Sequence, residues 1–354
     1  MTSLPPKISL HPMTSQDDLL DLPALEAWMA ENVSGFEGPL KATKFETGQS
    51  NPTFRLDGPS AAYVLRRKPP GELLKSAHAV DREYRVMKAL GPTDVPVPTV
   101  HALCEDDHVL GAMFFVMDFV PGRNFEDPGL PGLAPGERTA IYDQMNAALA
   151  ALHSVDPAAV GLSDFGRPGN YYERQFGRWR KQYETSRAEP DAAMDGLIAW
   201  LAAGMIEDDG RVSIVHGDYR LDNLIYAPDR PELLAVLDWE LSTLGHPFND
   251  VAYQCMQWRM PTGVDARGLE GVDRAALGIP TEAEYVAAYC ARLGVAEIPH
   301  FDFLLAFNFF RMAAILEGVQ RRALDGNASN PEKAMRLGAL IPTYVAKGLE
   351  AAGI

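Results

Sequence analysis

The sequence predicts an α+β fold in two lobes, a small N-lobe built on an antiparallel sheet and a larger helical C-lobe. Strand-like apolar runs separated by Gly and Pro turns fill residues 40–120. After Pro-Gly-Arg at 121–123, apolar residues recur at helical spacing. We therefore expect an N-terminal arm and helix at 1–39, an N-lobe at 40–120 and a C-lobe at 121–354, with a hinge near 118–123.

Local patterns predict the elements of the first 120 residues in order. The first helix carries Leu22, Leu25, Trp28 and Met29 on one face, as an amphipathic helix requires. The expected elements are a helix at 18–32, two strands within 41–57, a third strand at 61–69, a helix at 78–90 and two strands within 95–106 and 108–120. These strands are enough for a small sheet with one helix beside it.

The C-lobe is predicted to be mainly helical, with one interruption at 211–240. The expected helices are 136–155, 171–186, 193–205, 248–258, 281–293, 302–325 and 331–352. Loops are expected at 128–136 and 261–280, where Pro and Gly are frequent. The interruption consists of short apolar strands and polar turns, and it is the part of the sequence that points to chemistry.

The candidate catalytic loop lies within residues 214–240. A short apolar strand ends at His216, and the polar sequence HGDYRLDN follows it, with Asp218 and Asn223 five residues apart. If residues 224–226 and 233–237 pair as a hairpin, Asn223 and Asp238 come within about 5 Å of each other. An amide oxygen beside a carboxylate suits Mg²⁺. Asp218 can then face the same site as a base that accepts a proton from an alcohol.

Each residue of this loop also has a simpler interpretation. A lone Asp218 could be a turn or cap residue, but its spacing to Asn223 and Asp238 favours the catalytic interpretation. His216 either assists catalysis or packs and fixes the loop.

The loop HGDxxxxN resembles the HRDxxxxN catalytic loop of protein kinases, with Gly217 in place of Arg. With Gly there, the sequence resembles the aminoglycoside phosphotransferase and choline kinase-like superfamily, in which Trp-Glu or Phe-Glu commonly follows the last Asp. The resemblance implies a bilobal protein-kinase-like fold and an ATP- and Mg²⁺-dependent phosphotransferase with an alcohol as acceptor. It implies Asp218 as the base, and Asn223 and Asp238 as metal ligands. It also implies that Asp250 steadies the loop, and the alternative is that Asp250 caps the following helix.

The nucleotide site is expected in the N-lobe. A hairpin turn of small residues with exposed backbone N–H groups can cover a phosphate, and the turn containing Gly48, Ser50 and Asn51 resembles the GxSN turn of this superfamily. Arg66 replaces the strand lysine of protein kinases and is expected to pair with Glu83, with Lys68 as the alternative. Backbone groups near Asp118 and Val120 are expected to bind the adenine. Solvated strand ends and ordinary core residues are the competing interpretations.

The acceptor site is expected beside the helix at 170–187, which is basic and aromatic in an otherwise acidic chain. The predicted acceptor-binding residues are Tyr172, Arg174, Arg178 and Glu240. The alternative is a solvated basic face over core aromatics. The stretch, together with QSNPT, LRRKPPG and HGDYRLDN, resembles the kinase-like domains fused to acyl-CoA dehydrogenases and their stand-alone bacterial relatives. That resemblance implies a small-molecule, CoA-linked acceptor, a 4-hydroxyacyl-CoA.

Composition excludes several other classes of function. A net charge of −16 disfavours nucleic-acid binding. No apolar run reaches the roughly 18 residues of a membrane span, and no signal sequence is evident, so a cytoplasmic protein is expected. Three scattered cysteines predict free thiols. The remaining alternatives are an aminoglycoside, choline or sugar kinase, a nucleotide-binding pseudokinase scaffold, and a magnesium-dependent hydrolase; the oligomeric state stays open.

Overall fold

The computed structural model describes residues 20–45, 51–69, 79–167, 169–187, 189–328 and 330–354. The chain divides into two compact units. The smaller unit falls within residues 1–91 and 97–120, and the larger unit within 92–96 and 121–354.

The described residues of the smaller unit form a five-stranded antiparallel sheet with the strand order β1-β2-β3-β5-β4. Its strands are β1 (Lys41–Lys44), β2 (Thr53–Asp57), β3 (Ala62–Arg67), β4 (Val100–Cys104) and β5 (Phe114–Asp118). Its helices are α1 (Leu22–Asn32), α2 (Val80–Leu90) and α3 (Asp107–Leu110). The predicted small antiparallel sheet is confirmed.

The core of the smaller unit is built from one face of the sheet and one face of α1. Phe54 and Leu56 alternate with half-buried residues along β2, so both point to the same side. Leu25 and Met29, one helical turn apart on α1, are fully buried in the same cluster. Each such side chain contributes about 1.5–3 kcal/mol through burial.

The segment 108–120 was expected to be a single strand, and this prediction was wrong at its beginning. Residues Asp107–Leu110 form the short helix α3 instead. The Asp106 carboxylate accepts a hydrogen bond from the His108 amide at 2.9 Å and caps this helix. Gly111, with φ 78°, ends it before β5 begins.

The larger unit is mainly helical, as predicted, and among its described residues no helix combines the length and apolar character needed to cross a membrane. Its helices are α4 (Pro135–Ser154), α5 (Tyr171–Ser186), α6 (Ala192–Ala203), α7 (Phe248–Arg259), α8 (Arg274–Leu277), α9 (Glu282–Leu293), α10 (Phe301–Leu324), α11 (Pro331–Gly338) and α12 (Ile341–Ala352). Its short strands are β6 (Ser213–Val215), β7 (Leu224–Tyr226), β8 (Leu233–Val236) and β9 (Thr243–Gly245), paired β6 with β9 and β7 with β8.

Two local predictions for the larger unit need correction. The single helix expected at 331–352 is two helices, α11 and α12. Pro342 lies in the first turn of α12 and has no N–H to continue a helix from residue 338. The loop expected at 261–280 contains α8, which the Asp273 side chain caps.

Cys104, Cys255 and Cys290 are free thiols and all are buried, as the sequence predicts. Burial raises the pKa of the Cys255 thiol well above its usual value. A buried thiol with a raised pKa is a poor nucleophile. These cysteines therefore serve packing.

Candidate active site

The candidate catalytic loop begins where β6 ends and turns sharply at Gly217. Gly217 has φ 82°, in the left-handed region that side chains rarely adopt. A Cβ built at this position would lie 2.7 Å from the Leu241 carbonyl oxygen. The close approach of these two backbone segments therefore requires glycine at this position. The turn places Asp218 just beyond the end of β6.

The hairpin expected after the loop is present. Leu224 pairs with Val236, and the Leu237 amide donates to the Asn223 carbonyl at 2.8 Å. We expected Asn223 to face Asp238, so the observed register differs by one residue. Asp238 follows the pair directly and has a left-handed backbone, φ 65° and ψ 64°, that turns the chain into the 3₁₀ turn Trp239–Leu241.

Asp218 is fixed by hydrogen bonds to both of its carboxylate oxygens. The Tyr253 hydroxyl donates to Oδ1 at 2.5 Å, and Arg220 Nε lies 3.0 Å from the same oxygen. Asn223 Nδ2 lies 3.3 Å from Oδ2 and also donates to the Asp218 carbonyl at 2.9 Å. Bonds from three directions fix the orientation of the carboxylate, and the structure brings Asp218 and Asn223 into direct contact.

His216 is completely buried and links the loop to the end of β8. Its Nδ1 accepts from the Asp218 amide at 3.2 Å, and its Nε2 donates to the Leu237 carbonyl at 2.9 Å. One neutral tautomer satisfies both bonds. The ring packs against Trp239 with centroids 4.7 Å apart. His216 therefore fixes the loop, which was the simpler of its two interpretations.

Asp250 holds the loop from the first turn of α7. Its fully buried carboxylate accepts from the His216 amide at 2.6 Å and from the Gly217 amide at 3.1 Å, and His153 Nε2 lies 3.4 Å away. Burial acts to raise the pKa of Asp250, but the hydrogen bonds from His153 and the His216 amide outweigh it and lower that pKa. Asp250 makes no cap at the start of α7, where Pro247 is the N-cap residue. It steadies the loop.

Arg220 of the loop and two residues outside it, Tyr253 and Arg311, were not predicted from the sequence. Tyr253 lies three residues after Asp250, on the same face of α7, and that spacing could have identified it. Burial, and then the neighbouring charge of Asp218, raise the pKa of Tyr253 well above its usual value. Arg311 on α10 donates from Nη2 to the Gly217 carbonyl at 2.7 Å, and its guanidinium lies 5.2 Å from the centre of the Tyr253 ring. The sequence signal for Arg311 was an arginine within a mainly apolar helical stretch. In the structure this arginine is buried, which is rare for a charged residue.

The two predicted metal ligands form a simple donor set. No group of three or more His, Cys, Asp or Glu side chains within the described ranges is placed to hold a metal ion. Asn223 directs Nδ2 at Asp218, so its Oδ1 is the atom that could bind a metal, together with a carboxylate oxygen of Asp238. Mg²⁺ keeps several waters and takes one or two protein oxygens together with phosphate oxygens. An amide and a carboxylate therefore fit it.

Three predicted nucleotide-binding residues meet in the smaller unit. Arg66 Nε on β3 lies 3.1 Å from Glu83 Oε2 on α2. Glu83 is 1% exposed, and its Oε1 accepts from Asn51 Nδ2 at 3.1 Å. Gly48 and Ser50 lie outside the described residues. The predicted Arg66–Glu83 pair is present, with Asn51 bonded to it.

Asp118 and Val120 lie at the end of the smaller unit. The Asp118 amide donates to the Thr99 carbonyl at 2.9 Å, and its carboxylate lies 2.7 Å from His101 Nε2. Val120 is half-buried two residues later. The Asp118 amide is already used within the unit, so an adenine base would need other backbone groups of this segment.

The predicted acceptor residues on α5 do not share one surface. Tyr172 is 4% exposed and packs its ring against Tyr171 and Phe307 in the interior. Arg174 donates to the Arg167 carbonyl at 2.6 Å, and Arg178 lies exposed over a tryptophan ring. Glu240 is half-buried in the 3₁₀ turn after Asp238. Burial of Tyr172 matches the alternative interpretation, in which the aromatics of α5 belong to the core.

Comparison with known proteins identifies close relatives. The sequence profile of the phosphotransferase enzyme family matches residues 41–314. Acyl-CoA dehydrogenase family member 10 of Mus musculus is 49% identical over 294 residues, which cover 83% of this chain and 27% of that protein. The probable acyl-CoA dehydrogenase IBR3 of Arabidopsis thaliana is 44% identical over 337 residues, covering 90% of this chain and 41% of that protein.

A solved structure is similarly close. A candidate aminoglycoside phosphotransferase from Ralstonia eutropha JMP134 superposes with a TM-score of 0.87 and 50% identity, covering 95% of this chain and 99% of that one. The chain thus spans between about a quarter and two fifths of the length of the two curated relatives, and nearly all of this bacterial protein.

Proposed function

This chain belongs to the phosphotransferase enzyme family, and from that premise we propose that it is a kinase that uses ATP and Mg²⁺ to phosphorylate a hydroxyl group of a small molecule. The family and the relationship to acyl-CoA dehydrogenase family members were both predicted from the sequence and are confirmed. The observation that carries the proposal is the carboxylate of Asp218, oriented by Tyr253 and Arg220 and bonded to Asn223.

Asp218 is the proposed base. It would orient the acceptor hydroxyl and take its proton as the oxygen attacks the γ-phosphorus atom, while the bond from that phosphorus to the bridging oxygen breaks and ADP leaves. Asn223 and Asp238 are the proposed metal ligands. When bound, Mg²⁺ would neutralise charge on the phosphate oxygens, and the chain's own part is to hold the base and the ligands in fixed positions.

The proposed nucleotide contacts come from the smaller unit. Arg66, held by Glu83, would contact the α- and β-phosphates with a planar fork rather than the point charge of a lysine. Asn51, with Gly48 and Ser50, would contribute to a turn over the phosphates. The backbone near Asp118 and Val120 would bind the adenine.

The proposed acceptor is a hydroxyacyl-CoA. Support comes from the two curated relatives, whose names place acyl-CoA chemistry in proteins at least 44% identical to this chain. Arg174 and Arg178 are the proposed contacts for the CoA phosphates, and Glu240, in the turn after Asp238, is a further proposed acceptor residue. Tyr172 was predicted with them but lies in the core. The proposed setting is the cytoplasm, which supplies both ATP and CoA esters. An aminosugar is the second candidate acceptor, because the 50%-identical bacterial structure is described as an aminoglycoside phosphotransferase.

The test is an acceptor survey with purified protein, ATP and Mg²⁺. ADP release is followed without acceptor and then with a 4-hydroxyacyl-CoA, an aminoglycoside, choline and a sugar, and products are identified by mass. We expect ADP release to rise with the hydroxyacyl-CoA, together with a product heavier by one phosphate. Binding of ATP without turnover of any acceptor would instead identify a nucleotide-binding scaffold.

A further inference from the structure

A cavity of about 580 Å³ opens beside the catalytic loop, entirely within the larger unit. That volume includes solvent at the open mouth. Arg220 and Tyr253 line it, and both contact Asp218. A molecule bound in this cavity would therefore lie one side chain away from the proposed base.

The wall of the cavity is mainly apolar. Met256 and Met260 of α7 are 5% and 2% exposed, and Met312 of α10 and Tyr344 of α12 line the cavity with them. Methionine side chains are flexible and polarisable, so they adapt to chains of varied shape. Such a wall suits an apolar chain better than a sugar ring covered with hydroxyl groups.

The charged residues of the wall neutralise one another. Every one takes part in an ion pair: Arg220 with Asp218 and Asp222, Arg267 with Asp222 and Glu126, and Asp265 with Arg336. A cationic aminosugar would have to compete with arginines for these carboxylates. The cavity therefore favours a ligand segment that carries no charge.

Gln254 is the polar group of the wall whose bonding is incomplete. It is 2% exposed, and no described residue supplies a hydrogen-bond partner for its Nε2 or its Oε1. Its neighbour Gln257, one turn along α7 and also in the wall, donates to the Tyr142 hydroxyl at 3.1 Å. Burying an amide without partners is unfavourable, so such a group needs an explanation. A ligand carbonyl in the cavity would accept from Nε2, and a ligand amide N–H would donate to Oε1.

We propose that this cavity is the acceptor site, and that it binds an uncharged, mainly apolar segment whose carbonyl or amide group hydrogen-bonds to Gln254. An acyl thioester has these features, and a cationic aminosugar does not. The inference rests on the proposed kinase function. It places the acyl segment of the acceptor against α7, α10 and α12 rather than against α5, with the reacting hydroxyl extending towards Asp218.

The experiment fills the cavity and removes its unpaired amide. Met312→Trp occupies the space, and its matched control is Met335→Trp, which lies 42% exposed on α11 and outside the cavity. Gln254→Leu removes the amide, and Gln144→Leu on α4 is its control. The probes are a 4-hydroxyacyl thioester of N-acetylcysteamine, which lacks the CoA phosphates, and a cationic aminosugar. Turnover gives kcat and KM, and calorimetric titration of the thioester gives Kd.

We expect Met312→Trp to lower kcat/KM for the thioester by about 10- to 100-fold and to weaken its binding similarly. Gln254→Leu should lower kcat/KM about tenfold, mostly through KM, without lowering the thermal midpoint of unfolding, because a satisfied core amide is not being lost. Both controls should match the wild type.

The outcomes separate the two proposals. If the wild type phosphorylates an acceptor and Met312→Trp equals Met335→Trp in both kcat/KM and Kd, the cavity is not the acceptor site, although the kinase function stands. If the aminosugar is the better substrate and the thioester does not bind, the proposed ligand class is wrong. If no acceptor is phosphorylated and no ADP forms, the kinase proposal fails, and the thioester titration still decides whether the cavity binds a ligand.

Discussion

The candidate catalytic loop and helix α5 both carry polar residues that the sequence marked as functional, but the structure uses the two regions in opposite ways. In the loop, polar side chains of Asp218, His216 and Asn223 bond to one another and to nearby backbone. On α5, the arginines lie at or near the surface, whereas Tyr172 is inside. The fixed spacing of the HGDxxxxN motif therefore located a cluster of hydrogen-bonded polar side chains. The unusual composition of α5 located only an amphipathic helix.

The aromatics of α5 show why composition was misleading. From Tyr172 onward they recur at spacings of three or four residues, and all are buried: Tyr171, Tyr172, Phe176, Trp179 and Tyr183. An amphipathic helix of the core has the same pattern. The signal that suggested an aromatic binding surface was the periodicity of packing.

A substitution at Asp218 is the strongest test of the difference between the loop and α5. We expect Asp218→Asn to lower kcat at least ~100-fold with every acceptor, because a lost base usually costs that much. The control is Asp229→Asn, a carboxylate 76% exposed in the turn after β7, which should keep the wild-type rate. Steady-state kinetics decides. If the kcat of Asp218→Asn stayed within a few fold of the wild-type value, the loop would not be catalytic.

The loop's rigidity can be tested at Asp250. Asp250→Ala leaves the His216 and Gly217 amides and His153 without their buried partner, so we expect a loss of about 3–5 kcal/mol in the free energy of unfolding. Asp195→Ala, at a half-exposed carboxylate on α6, should cost less than about 0.5 kcal/mol. Denaturant titration measures both. Equal losses would mean that the buried network does not hold the loop.

The same residue predicts a pH dependence. The pKa of Asp250 is lower in the folded protein than its usual value, so its contribution to stability is complete above the unfolded pKa of about 3.9 and disappears as pH falls through the folded pKa. The stability difference between the wild type and Asp250→Asn should therefore shrink on acidification below pH ~4. A difference that stays constant down to the acid transition would contradict this.

Tyr253 tests whether the base needs a hydrogen-bond donor. A hydrogen bond to a charged group is worth about 1.5–3 kcal/mol, so Tyr253→Phe should lower kcat about tenfold. The raised pKa keeps this hydroxyl protonated through the alkaline range, and wild-type kcat should show no alkaline loss from its ionisation. Tyr285→Phe is the control, since that buried hydroxyl bonds to no described residue. An unchanged rate in Tyr253→Phe would leave the hydroxyl only a packing role.

The smallest effect is expected on α5. Because exposed charge contacts are worth about 0.2–1 kcal/mol, Arg178→Ala should raise KM for a hydroxyacyl-CoA by about two- to fivefold and leave KM for the N-acetylcysteamine thioester unchanged. Comparison of the two substrates measures it. An equal rise in KM for both substrates would indicate that α5 contacts the acyl portion of the acceptor.

Much of the fold followed from local sequence. The helix expected at 171–186 has those bounds, and Pro and Gly correctly bounded most elements. The errors occurred where a side-chain cap or a proline acted inside an apolar run, as at α3 and between α11 and α12. These two errors could have been avoided from the sequence alone, because it shows both the capping residue Asp106 and the helix-starting Pro342.

The site was predictable only as far as local spacing reaches. Asp218, Asn223 and Asp238 lie within one loop and one hairpin, and the hairpin pattern brought their segments together. Arg311 lies 94 residues from Gly217, and its contact depends on how α10 packs, which no periodicity records. The cavity depends on that packing too, because three helices form its wall.

The left-handed turn at Gly217 also constrains how this loop can change over time. Every glycine codon is one base away from an arginine codon, so the protein-kinase version of the loop is always within reach of a single mutation. At this position an arginine would bring a Cβ to 2.7 Å from the Leu241 carbonyl oxygen and force a left-handed residue with a long side chain. Such a substitution would strain the loop until the backbone near Leu241 had moved. The two kinds of loop therefore differ by a backbone conformation, although a single base change connects their codons.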